Sequence, residues 1–147
     1  MGANNQEDKN RVYLVDFGLA KEHLDPVNFK PMEPRRNTDF RGTIPYASLN
    51  AHNKEELSRR DDIWSFYFMM LEFFDEQLTW KQSKTCSLTP SLDSNKDQVR
   101  EQKMKAFKNP KKLLFPNIGR KFEQIKDMYD YLHSLKYHDQ PNYKYFK

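Results

Sequence analysis

Residues 58–74 read SRRDDIWSFYFMMLEFF: a cap-forming Ser58, two basic and two acidic residues, then a nearly unbroken apolar run. A serine followed by acids in the first turn is how a helix opens, because those oxygens accept from N–H groups that have no partner inside the helix. Beyond it, Ile63, Trp64, Phe66, Tyr67, Phe68, Met69, Met70, Leu71, Phe73 and Phe74 leave no wet stripe. A helix apolar on all sides either crosses a membrane or is enclosed by protein. This window is too short for a bilayer, and Asp61, Asp62 and Glu72 bracket it, so it predicts a buried central helix.

Working outward, residues 1–10 carry Asn4, Asn5, Gln6, Glu7 and Asp8 and read as a polar loop. Arg11 to Val15, RVYLV, predict a short strand ending at Asp16. Residues 21–41 contain Pro26, Pro31 and Pro34 and little periodicity, which predicts a long irregular segment of functional or disordered type. After Trp80, residues 81–95 read as a Ser/Thr-rich loop. Residues 96–109 form a basic helix anchored by Val99, Met104 and Phe107 and stopped at Asn109-Pro110. The last predicted helix runs from about 117 to 136, where Ile118, Phe122, Ile125, Met128, Tyr129, Leu132 and Leu135 recur at three and four. A tail restarts after Pro141. The division expected is a loop over 1–10 and one partial domain over 11–147.

The chain has 147 residues, enough for one domain, though 37% hydrophobic content is a modest supply for a core. The 25 Lys and Arg against 21 Asp and Glu leave a net +4, spread too thinly to make a nucleic-acid protein. Single Cys86 cannot form an internal disulfide, and no apolar run has signal-peptide or membrane length, so a reducing cytosolic setting without a membrane is expected. Gln6 stands where a myristoylation signal wants Ser or Thr. His23, His52, His133 and His138 are scattered without metal-ligand spacing, and no internal repeat is present.

Asp16-Phe17-Gly18 within DFGLA, then FRGTIPYASLNAH, then SRRDDIWSFYFMMLEFFDEQLTW, in that order and at those distances, resemble the C-terminal lobe of the casein kinase 1 superfamily. Within it the chain is most similar to the tau-tubulin kinases, and YLHSLKYHDQPNYKYF looks like that superfamily's last helices. The resemblance covers about residues 11 to 146. It implies a mainly α fold: a kinase C-lobe fragment with a short β-strand, a long activation-segment loop, a buried central helix and two further helices, without the N-lobe and catalytic loop. It further implies that Asp16, with Phe17 and Gly18, matches the site where magnesium bridges the ATP phosphates. Thr43 matches the hydroxyl that contacts the catalytic loop. Ser48-Leu49-Asn50 stands where most kinases have A-P-E. Asp62 looks like the buried aspartate that ties down the catalytic-loop backbone, with Trp64 packing beside it; a structural role for Asp62, Trp64, Ser48 and Asn50 is the expectation.

No Gly-rich phosphate loop, strand lysine, paired helix glutamate or H-R-D-x-x-x-x-N occurs in these residues, so Asp16 and Thr43 are expected to be vestigial catalytic and cofactor positions. Met1-Gly2 falls about where such kinases continue past the catalytic asparagine. Pro45 replaces an Arg that relatives use in a basic pocket for acidic or phosphorylated substrate. Arg35, Arg36 and Arg41 either compensate or are solvated loop charge. Two functions stay open. One is a pseudokinase half-domain serving as a structural or interaction module, with no cofactor; the other is the C-terminal part of an active Ser/Thr kinase using ATP and Mg2+, whose first half is missing here or supplied by another chain. The first reading expects a protein partner against Trp64, Tyr67 and Met70. It also expects attraction of Lys103, Lys105, Lys108, Lys111 and Lys112 to acidic microtubule surfaces, with a cytoplasmic, cytoskeletal or ciliary place in the cell.

Overall fold

The computed structural model describes residues 11, 13–75, 78–81, 92–114 and 123–146. The expected loop over 1–10 lies outside these residues, as do Cys86, Ile118 and Phe122. Helices follow in the order α1 (Leu49–His52), α2 (Arg59–Asp75), α3 (Leu92–Lys108), α4 (Pro110–Leu113) and α5 (Glu123–Ser134), and a 3-10 turn, Tyr143–Phe146, ends the described chain.

Helix α2 opens as its sequence dictates. The Asp61 carboxylate reaches back to accept from the Ser58 backbone N–H at 2.8 Å, one half of a capping box. Its other oxygen accepts from Asn50 Nδ2 at 2.8 Å, so one buried aspartate joins α1 to α2. From there Ile63, Trp64, Tyr67, Phe68 and Leu71 enter the core. The ring of Trp64 lies 5.1 Å from that of Phe107 and 5.7 Å from that of Tyr129, which brings α3 and α5 onto α2. Ile125, Met128, Tyr129 and Leu132 form the single buried stripe of α5. Tyr67 satisfies its hydroxyl by donating to Ile125 O at 3.2 Å, and Arg60 donates to Leu135 O at 2.9 Å beyond the end of α5.

Three expectations need correction. The strand expected over 11–15 is not seen among the described residues there: Tyr13, Leu14 and Val15 are exposed and belong to no ladder. A strand's N–H and C=O groups need a neighbour, and the one β-bridge among the described residues is isolated, Leu24 to Pro31. Helix α3 starts at Leu92, inside the stretch expected to be loop from its Ser/Thr content. The described part of the last helix, Glu123–Ser134, ends two residues short of the expected 136.

The irregular segment is pinned despite its lack of periodicity. Asp25 Oδ1 accepts from the N–H groups of Val27 and Asn28 at 2.8 and 3.0 Å, closing a turn that lets Met32 N reach His23 O at 2.9 Å. Thr38 then bonds Lys54 O through both its backbone N–H and its hydroxyl, each at 3.1 Å.

Candidate functional site

Asp16 lies in exposed backbone with φ of 65°, and its Oδ1 accepts from Gly18 N at 3.1 Å. Phe17 is 66% exposed. Magnesium takes six oxygens, with its protein ligands and nucleotide phosphates sharing the shell. Among the described residues no three acidic, His or Cys side chains gather.

After Gly42, whose φ of 111° favours a residue without Cβ, the chain turns back. Thr43 O accepts from the N–H groups of Tyr46 and Ala47, both at 2.9 Å. Thr43 itself is exposed. Ser48 is buried and caps α1, accepting from Ala51 N at 3.1 Å. Pro45 O accepts from Trp80 Nε1 at 2.9 Å, and Tyr46 shares its hydroxyl with Glu72 and Lys81, which also pair with each other. Hydrogen bonding from Lys81 and Tyr46 lowers the Glu72 pKa.

Lys103 corrects the expectation of an outward lysine. It is fully buried, donating to Ala47 O at 2.6 Å and Ile44 O at 3.1 Å. Its Nζ lies 3.4 Å from His52 Nε2 and sits over the rings of Phe68 and Trp80 at 4.6 and 5.4 Å. Burial pulls the amine well below its ordinary pKa. The His52 pKa falls to about 4, through burial first and the Lys103 charge second. The sequence signal is present in hindsight: Val99, Lys103 and Ala106 share one helical face, and 99 and 106 are core positions. Of the other lysines, Lys105, Lys108 and Lys112 are exposed, and the Lys111 side chain lies outside the described residues.

The residues expected around Asp62 are arranged differently. Asp61 is the buried aspartate, whereas Asp62 is open to water and faces a cavity of about 340 Å³. The cavity walls still raise the Asp62 carboxyl, by desolvation first and by neighbouring Asp61 second. The same cavity is lined by Lys21, His23, Arg35, Arg41 and Arg59. Glu56 balances part of that charge: Arg35 binds it through two nitrogens at 2.6 and 3.0 Å, and Lys21 at 2.9 Å. The Arg35 hydrogen bonds, with those of Lys21 behind them, overcome burial and hold Glu56 at about 2. Glu56 was missed at the sequence level because its partners lie 21 and 35 residues away in an aperiodic segment.

The expected partner face is also revised. Trp64 and Tyr67 are buried and Met70 packs against the core, so this face is already covered. The open face of α2 is Phe66, Met69 and Phe73, 50%, 39% and 78% exposed, with Asp62 at its head. Positions 62, 66, 69 and 73 fall within one stripe of a helix with 3.6 residues per turn.

With this architecture in hand, the chain finds its relatives among protein kinases. It is 37% identical over 144 residues to a probable serine/threonine-protein kinase of Dictyostelium discoideum, covering 97% of this chain and 26% of that protein. It is 35% identical over 137 residues to a probable casein kinase I homolog of Encephalitozoon cuniculi, covering 93% of this chain and 42% of the relative. No model of a known protein family matches. The chain thus spans between about a quarter and two-fifths of the curated relatives it matches, and its mainly helical structure is that of a kinase C-lobe fragment. Its relatedness is to serine/threonine kinases of casein kinase 1 type. No helix among the described residues is long and apolar enough to cross a membrane.

Proposed function

We propose that this chain is a kinase-like C-lobe module that acts through its surfaces, with the Phe66, Met69 and Phe73 stripe docking another polypeptide. The observation that carries this reading is a central helix buried on one side and bare on the other, since apolar side chains exposed together mark interaction sites. By itself the chain transfers no phosphate, because positioning and charge stabilisation supply phosphoryl-transfer catalysis and Asp16 alone represents them. Sedimentation velocity and hydrophobic-dye binding test the surface, comparing wild type with a variant carrying Gln at positions 66, 69 and 73. Loss of dye binding and self-association in the variant supports the reading. A wild type that is monomeric and blind to dye contradicts it.

The second reading, a part of an active Ser/Thr kinase, is favoured by the names of both relatives. On it, ATP and Mg2+ are held jointly with residues not present in this sequence. An in-frame H-R-D-x-x-x-x-N encoded upstream of Met1 decides for it. The finer proposal of a microtubule partner, in a cytoskeletal or ciliary setting, rests on family analogy and on exposed Lys105, Lys108 and Lys112.

A further inference from the structure

Lys103 is a fully buried charge-bearing group with no carboxylate paired to it among the described residues. A protonated amine has three N–H donors and no acceptor. Two carbonyls accept from this one, Ala47 O at 2.6 Å and Ile44 O at 3.1 Å, and His52 Nε2, itself 3.3 Å from Ile44 O, lies 3.4 Å from the nitrogen. Two aromatic faces, Phe68 at 4.6 Å and Trp80 at 5.4 Å, complete the enclosure, and the negative face of a ring attracts a cation. Two N–H groups suffice for the two carbonyls, so the tie does not require the amine to be charged.

The acceptors are not scattered. Ile44 and Ala47 belong to the turn after Gly42, so the amine ties that turn to α3 at one point, beside His52, the last residue of α1. We propose that Lys103 is the positioning residue of the 43–47 turn, its nitrogen holding the Ile44 and Ala47 carbonyls. The shape of the turn, and with it the placement of Thr43, Pro45 and Tyr46, follows from that nitrogen. Apolar filling of the same volume leaves the two carbonyls without this donor.

The test uses the full chain with two variants, Lys103→Ala and Lys103→Met. Lys103→Ala removes three carbons and the nitrogen, the composition of n-propylammonium. In Lys103→Met, exchange of the Tyr46 and Ala47 amides, which bond Thr43 O, should quicken about tenfold or more while the α5 amides change little, because local opening is separable from global unfolding. In Lys103→Ala, n-propylammonium should restore the wild-type amide signals of 46 and 47 saturably, and n-propanol should not. Equal rescue by n-propanol would show a cavity needing only volume and would overturn the proposal. Where Lys103→Ala does not fold, the Lys103→Met comparison decides alone: unchanged exchange at 46 and 47, or the same increase throughout α5, overturns it.

Discussion

Replacing Glu56 by Gln tests whether the aperiodic segment is held by charge. Gln keeps the volume but removes the charge that Arg35 and Lys21 share and replaces one of the two acceptor oxygens by a donor. The Glu56 pKa falls from 4.5 to about 2, and one pKa unit is about 1.4 kcal/mol, so an undiluted interaction amounts to roughly 3 kcal/mol. Solvent screening reduces this, since the side chains of Arg35 and Lys21 are 50% and 40% exposed, and about 1–2 kcal/mol is the expected effect. The folded pKa is depressed, so the unfolded chain binds more protons between the two values. The stabilisation is therefore full above pH 4.5 and is lost as pH falls through about 2. Urea unfolding of wild type and Glu56→Gln at pH 7 and at about pH 2 measures the difference at both ends. It should be about 1–2 kcal/mol at pH 7 and shrink toward zero in acid. Equal stability of the two proteins at pH 7, or a gap that persists unchanged in acid, would refute the reasoning.

Trp64→Ala should cost about 3–5 kcal/mol by urea unfolding, because four aromatic neighbours lose their partner and the hole lies between helices that cannot close together. Asp61→Asn should cost about 1–2 kcal/mol through the α2 cap, whereas Asp62→Asn, at a carboxyl raised by desolvation, should be neutral or slightly stabilising; the opposite order would contradict the assignment of the buried aspartate. His52 is held near 4, so stability present above pH 6.5 should decline as pH falls toward 4, and His52→Gln should lose that acid limb. Charge reversal of Lys105, Lys108 and Lys112 to Glu should abolish low-salt co-sedimentation with microtubules; equal pelleting of the variant, or no pelleting of wild type, removes that partner.

What was legible in the sequence was what local pattern encodes. Helix α5 showed its buried face at a spacing of three and four, and α2 announced its start through Ser58 and the acids after it. The two adjacent acids could not be told apart, because burial of Asp61 depends on Asn50, a partner 11 residues away. An all-apolar helix carries no information about which face is covered, so Trp64, Tyr67 and Met70 were as eligible for a partner as Phe66, Met69 and Phe73 until α3 and α5 were in place. RVYLV has strand propensity, yet pairing is a property of two segments. Lys103 was hidden by its residue type, since a lysine is almost never fully buried even at a core position of a helix.

The central claim is that this chain works through a surface and not through phosphoryl transfer of its own. Isothermal titration of the full chain with Mg-ATP, beside Asp16→Ala, tests it most directly. The account predicts no saturable heat from either protein. Micromolar Mg-ATP binding by wild type that disappears in Asp16→Ala would contradict it.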